Sequence, residues 1–293
     1  MISCQLPGNG NKKERMDIEA FSFASKILLF GEQTVLTGSQ ALSVPYDAYS
    51  GAWQYGEKVD PNLGQIVALL PKDIIDKNYF EQEVSKHLFF NSDIPQKAGL
   101  GSSGALSAAL YKCFSRDINS TLQKIQQDLA TIESVFHGKS SGTDALVSFA
   151  NQSIHTLNDV SNLIDINLKD HAIYISLINS NKPRDSKHYI KLYLDKVEED
   201  NINHQLLSDK SDAALSSFVL KDENFKSIIK ELSVVQLKEF AAFIPNSILE
   251  FWEGGIADDS HFCKLCGAGG GGYFLCFSEE PLIEADDILP VNY

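Results

Sequence analysis

Long apolar runs are missing from this chain. No stretch approaches the roughly 18 uninterrupted apolar residues that a membrane span needs, although hydrophobic residues make up 43% of the 293, ample for a sizeable core. A membrane partner is therefore not expected, and the N-terminus has no apolar core of signal-peptide length. Basic charge is also scarce: 25 Lys and Arg stand against 39 Asp and Glu, for a net charge of -14. Such a surface repels nucleic acid and anionic lipid unless a basic face is segregated, and the sequence shows none. A phosphorylated ligand then needs local compensation. Five cysteines (Cys4, Cys113, Cys263, Cys266, Cys276) form no disulfide-like framework, which favours unpaired thiols in a reducing, cytoplasmic setting. Cys263 and Cys266 make a C-x-x-C, but no second Cys or His pair at metal spacing accompanies it, so packing is the simpler reading. No internal repeat is present.

The length suits one large domain or two ordinary ones sharing a cleft. Residues 1–16 read as a polar leader without expected order. Lys26 to Phe30 (KILLF), stopped by Gly31, reads as a buried strand, and the apolar positions at Val35, Leu36 and 41–44 before Pro45 suggest several short strands. Pro95 opposes a regular strand before the glycines at 99–104. Ala105, Leu106, Ala109, Leu110 and Cys113 then recur at helical spacing. Ser120 with Gln123 predicts a capping box for a second helix with the stripe Leu122, Ile125, Leu129, Ile132 and Phe136, ended by Gly138. A polar, asparagine-rich stretch at 150–170 precedes the strand-like run at 173–178, and the domain boundary is placed there. The resulting units are 17–165 and 166–293. The charged run 195–200 reads as a solvated helix face, and a second glycine cluster at 267–272 precedes a strand at 273–277.

Gly99-Leu100-Gly101-Ser102-Ser103-Gly104 joins glycines, which let a backbone approach phosphate closely, to a helix start with unpaired N–H groups. The string also satisfies the dinucleotide fingerprint G-x-G-x-x-G, so an oxidoreductase is the competing class. That fingerprint should follow a strand directly and lead to an acidic residue about 20 positions on. Here Pro95 and Lys97 precede it, and Asp117 and Asp128 fall in a polar connection and a helix. A Walker A loop is excluded, since no lysine follows the last glycine. A tight helix entry with no ligand remains the alternative for the loop read alone.

On the second helix Glu133 falls at the margin of the apolar stripe. A carboxylate there needs an ion pair, a metal or a ligand, because burying it alone is costly. Asp144 lies on the small-residue turn Gly138 to Thr143, just before Ala145 to Val147, where it would otherwise cap a helix. If the loop holds a triphosphate, Mg²⁺ requires oxygen ligands such as Glu133 and a serine, and a hydroxyl nucleophile requires a positioned carboxylate such as Asp144.

Three separated motifs then coincide: Ala24 to Glu32 (ASKILLFGE), Pro95 to Ala105 (PQKAGLGSSGA) and Lys264 to Gly272 (KLCGAGGGG). Together they resemble the galactokinase, homoserine kinase, mevalonate kinase and phosphomevalonate kinase (GHMP) family, and Glu133, Ser141-Gly142 and Asp144 look most like its mevalonate kinase branch. The resemblance implies an α+β, two-domain architecture, with an N-terminal domain like domain 2 of ribosomal protein S5 and a ferredoxin-like C-terminal domain. It implies ATP on Gly99, Leu100, Gly101, Ser102, Ser103 and Gly104, with Mg²⁺ on Ser103 and Glu133. Catalysis would fall to Asp144 and Lys26. Gly267, Ala268, Gly269 and Gly270 would form a late glycine loop, and Glu32, Gln33 and Ser186 would border a small-molecule substrate. Mevalonate is the expected acceptor, with phosphomevalonate as the near alternative, and a homodimer is the family-level expectation. A diphosphomevalonate decarboxylase and a non-catalytic ATP-binding relative are the other readings. The chain departs from the branch at Gln33, where histidine is usual, at Ser25, where glycine is usual, and at Cys266, where threonine is usual.

Overall fold

The computed structural model describes residues 17–283 except 59, together with 285 and 287–289; the polar leader at 1–16, and Cys4 with it, lie outside the described residues. In chain order the elements are β1 (Ser22–Phe30), β2 (Ala41–Tyr55), α1 (Pro61–Leu69), α2 (Lys77–Ser85), β3 (Leu88–Ser92), α3 (Ser102–Phe114), α4 (Leu122–His137), α5 (Thr143–Ala150), β4 (Ser153–Leu157), β5 (Val160–Ile164), β6 (Tyr174–Asn179), α6 (Ser186–Glu198), α7 (His204–Leu220), α8 (Phe225–Glu239), α9 (Asn246–Asp258), β7 (His261–Leu265), β8 (Tyr273–Ser278) and β9 (Asp287–Ile288).

Two antiparallel sheets organise them. The first runs β1-β2-β4-β5, with β3 also on β2. The second runs β7-β8-β6-β9, the strand order of a ferredoxin-like unit, with α6 to α9 filling its first crossover. No described ladder is parallel, which removes the dinucleotide fold that the G-x-G-x-x-G string alone would allow.

The polar stretch at 150–170 differs from its expected role as a simple connection. It folds as the β4–β5 hairpin of the first sheet, with positive φ at Asn158 and Asp159 turning the chain. The short strands expected from 35 to 44 are replaced by a 3-10 turn at Thr34–Thr37 and the single long strand β2. Pro45 does not break β2 because its partner Lys26 needs nothing from it. The Lys26 N–H points away from β2 and donates to the Leu100 carbonyl at 3.0 Å. The cap of α4 is Thr121, whose hydroxyl accepts from the Lys124 N–H, one residue later than the expected Ser120 box.

Most of the core is continuous across both sheets. Phe30, at the end of β1, meets Phe218 at 5.5 Å and Phe277 at 6.0 Å between ring centroids, so α7 and β8 close over the first sheet. A second aromatic knot, Trp53 with Phe80, Phe90 and Phe114, anchors α2 and α3 against β2 and β3. Burying each such ring stabilises the fold by about 1.5–3 kcal/mol. The smaller cluster around Tyr193, Phe240, Phe243 and Trp252 packs the helices of the second unit on β7 and β8.

Cysteine pairing departs from the expectation of free thiols. Cys263 and Cys276 stand directly opposite in the β7–β8 ladder, with Cα atoms 4.0 Å apart, and are joined by a disulfide. Cys266 remains a buried thiol, so the C-x-x-C is not a functional unit, and Cys113 is likewise free and buried. Cross-strand register, which residue spacing does not reveal, decided the pairing.

Candidate active site

The first glycine loop ends in a helix that offers no side-chain cap. Gly101, with φ of 81°, is the N-cap of α3, so the first-turn N–H groups and the positive end of the helix dipole are left for an anion. Ser102 opens the helix. The Leu100 side chain, by contrast, is buried in the core, and only its carbonyl takes part, in the bond to Lys26.

Two catalytic candidates pack directly on this loop. A Cβ at Gly101 would lie 2.8 Å from Lys26 Cγ, and one at Gly104 would lie 2.9 Å from the Asp144 carbonyl carbon. The loop needs glycine at both places because other backbone or buried side chain occupies the space. Gly104→Ala should therefore force α3 from α5, lowering stability by about 1–3 kcal/mol in urea denaturation and lowering turnover with it.

Lys26 and Asp144 form an ion pair, Nζ to Oδ2 2.9 Å. The lysine side chain is 4% exposed and the aspartate 39% exposed, so the pair has one buried and one open end. Asp144 is not a cap, as its position before an apolar run had allowed. Gly142 is the N-cap of α5, and Asp144 lies in the first helical turn.

Glu133 is buried, as its place on α4 predicted, but its hydrogen-bond partners are hydroxyls. Ser103 Oγ donates to Oε1 at 3.0 Å and Ser140 Oγ donates to Oε2 at 2.5 Å. Burial and the nearby Asp144 charge push the carboxyl above its usual range, opposed by the two serines and Lys26. Ser140 was not singled out in the sequence; its only signal is membership of the small-residue turn. No group of three or more His, Cys, Asp or Glu among the described residues could hold a metal. The carboxylate and hydroxyl of Glu133 and Ser103 are the hard oxygen donors that suit a divalent cation completed by phosphate and water.

The late glycine loop faces this assembly from the second unit. Its Gly270 and Gly272 N–H groups already donate to the carbonyls of Phe243 and Lys182, at 2.7 and 2.8 Å, so those amides brace the loop and do not await a phosphate. Ala268 accepts from Gln33 Nε2 at 2.6 Å, joining the turn after β1 to the late loop. The other amide atom of Gln33, Oε1, is buried with no hydrogen-bond partner, as is the neighbouring Thr34 hydroxyl.

Glu32 corrects the expectation of direct substrate contact. Its side chain is 1% exposed, Oε2 accepts from Lys264 Nζ at 2.7 Å, and Oε1 accepts from Gln236. Both oxygens are occupied, so Glu32 ties the end of β1 to β7 and α8. Ser186 opens α6, and its hydroxyl accepts from Arg184 Nε at 2.9 Å.

Arg184 is the residue sequence reasoning missed. It is one of only three arginines, with Arg15 and Arg116. A Cβ at Gly99 and one at Gly267 would each lie 2.3 Å from its Nη1, so the guanidinium sits between the first glycine of each loop. Asp144 is its principal carboxylate influence, and burial pulls its pKa below the usual arginine value. Among the described residues no carboxylate lies within ion-pair distance of it. The signal available in the sequence was an isolated arginine after Pro183, beside a strand end.

Residues 70–152 match the family model for the GHMP kinases N terminal domain. No curated protein matches the sequence. Among solved structures, L. major mevalonate kinase in complex with R-mevalonate is similar at a TM-score of 0.63 and 15% identity, over 91% of this chain and 93% of that one. Methanococcus jannaschii mevalonate kinase gives 0.62 and 19%, over 87% and 89%. Streptococcus pneumoniae phosphomevalonate kinase gives 0.60 and 17%, over 88% and 90%. Residues 70–152 thus resemble the N-terminal domain of the GHMP kinases, and the chain as a whole shares the fold of these mevalonate and phosphomevalonate kinase structures.

Proposed function

We propose that the chain is an ATP-dependent phosphotransferase that moves the γ-phosphoryl group to the hydroxyl of a small molecule, with mevalonate as the favoured acceptor. The observation that carries this reading is the Lys26–Asp144 pair at 2.9 Å, lying against Gly101 and Gly104 of an uncapped helix entry. Phosphate donors, a carboxylate and a cation converge there. Units 17–165 and 166–293 would supply the two walls of the cleft.

In this mechanism the N–H groups at the start of α3 hold the nucleotide phosphates. The open end of Asp144 accepts the hydroxyl proton, or orients it, as oxygen attacks phosphorus. Lys26 holds Asp144 in place through their ion pair and offsets charge on the transferring group. Ser103 and Glu133 would hold Mg²⁺, which when bound neutralises phosphate charge. Ser140 would aim Glu133. Ser140→Ala is expected to raise the Mg²⁺ needed for half-maximal turnover by about tenfold, measured by titration of the rate.

A coupled ADP-release assay with mevalonate, phosphomevalonate, galactose and homoserine tests the function. Acceptor-dependent ADP release with mevalonate supports it, and preference for phosphomevalonate selects the neighbouring activity. Release with none of the four, alongside ATP binding, favours a binding-only protein.

A further inference from the structure

The late glycine loop is the connection between β7 and β8, and a covalent bond closes its base. Cys263 and Cys276, 13 positions apart, are joined across the ladder, with only the pairs Lys264–Leu275 and Leu265–Phe274 between that bond and the loop. The enclosed segment carries contacts that fix this side of the cleft. Lys264 Nζ donates to Glu32, the Leu265 N–H donates to Gln236 Oε1 at 2.9 Å, and the Ala268 carbonyl accepts from Gln33. Gly270 and Gly272 complete the seating through the Phe243 and Lys182 carbonyls. The bonded cysteines are both 0% exposed and lie in the core of the second unit with Ile178, Trp252 and Phe274. Their Cα atoms are 4.0 Å apart, nearer than the about 4.5 Å of the closest ordinary antiparallel pairs.

We propose that the Cys263–Cys276 bond is a redox-reversible clamp on the late glycine loop: joined, it holds the loop against the first unit, and reduced, it lets the loop loosen and turnover fall. The physical reason is room. Two thiol sulfurs cannot approach as closely as two bonded ones, so in a close-packed interior their separation spreads β7 from β8 two ladder pairs before the loop begins. β7 is free to shift because it is the edge strand of its sheet, paired only with β8 among the described strands. Losing the cross-link also lets the enclosed segment sample open states that the bond forbids. The chemistry is exchange with an external thiol reagent. A dithiol gives two electrons and two protons, the protein S–S bond breaks into two thiols, and the dithiol's own sulfurs join. Oxidised glutathione reverses this and leaves two reduced glutathiones. Cys113 and Cys266, both buried and unbonded, take no part. The effect on turnover rests on the kinase reading, whereas the effect on the loop does not.

The test compares the full chain after oxidised glutathione, after dithiothreitol, and as the Cys263→Ala/Cys276→Ala variant. Peptide mapping after alkylation gives the state of each cysteine, hydrogen exchange over 266–272 reports the loop, and ADP release reports turnover. Reduction should speed exchange in 266–272 by about tenfold or more and lower kcat/KM by about tenfold, chiefly through KM. Reoxidation should restore both. The double variant should show the reduced-form values and ignore either reagent. Equal loop exchange in the two wild-type states overturns the proposal without recourse to the variant. So does mapping that finds no 263–276 bond after oxidised glutathione. A double variant that still responds to dithiothreitol assigns the response to another cysteine and also overturns it. Unchanged turnover in a chain whose loop has loosened removes the regulatory role and sinks the proposal too. Redox-dependent exchange with no ADP release from any acceptor in either state supports the clamp and fails the kinase reading alone.

Discussion

Asp144→Asn should lower kcat by at least about a hundredfold, close to 3 kcal/mol of lost barrier reduction, while ATP affinity stays within a few-fold. The expectation follows from the geometry of one ion pair. Asp144 is 39% exposed, so its outer edge can meet a hydroxyl, while Lys26 at 2.9 Å is buried and cannot be replaced by solvent. Asparagine keeps the shape but cannot take a proton. It also leaves the Lys26 ammonium without its carboxylate, so a thermal melt and an ATP titration must accompany the rates to separate chemistry from folding. Full turnover in a folded, ATP-binding Asp144→Asn protein would show that this carboxylate has no part in the reaction.

The second large effect is on stability. Lys264 and Glu32 are 0% and 1% exposed, the most deeply buried ion pair described, and Gln236 completes the carboxylate. Lys264→Met should destabilise the chain by about 3–5 kcal/mol in chemical denaturation, because Glu32 is then an uncompensated buried charge. The cost lies in the leftover charge more than in the missing contact. Glu32→Gln combined with Lys264→Met should therefore be closer to wild type than Lys264→Met alone. If the double variant were as unstable as the sum of the single ones, the two residues would not be coupled, and the network assigned to them would be wrong.

Both effects involve groups whose types were visible in the sequence and whose partners were not. Glu133 illustrates the boundary. Its place on the α4 stripe predicted burial and hence a need for compensation, which needed only the helical period. That the compensation comes from Ser103, thirty positions earlier, and from Ser140 depended on how α3, α4 and the following turn pack. Glu32 shows the same limit in reverse. The resemblance of its motif implied a place beside the substrate, but the antiparallel β7 delivers Lys264 beneath it. Arg184 was passed over because an isolated arginine after a proline is a weak local signal; its position becomes meaningful only when the 99 and 267 loops are brought to either side.

The sequence by itself determined the local geometry: the strand stopped at Gly31, the helix that opens after Gly101, the amphipathic α4 and the glycine loops before α3 and β8. These depend on backbone sterics and on periods of two and 3.6 residues, which operate between near neighbours. Only the tertiary structure decided which groups meet: Lys26 with Asp144, Lys264 with Glu32, Cys263 with Cys276, and Arg184 with no carboxylate within ion-pair distance among the described residues. Ion pairs and cross-strand bonds form across a few ångströms of space whatever the distance along the chain, so residue type announces the need for a partner while packing chooses it.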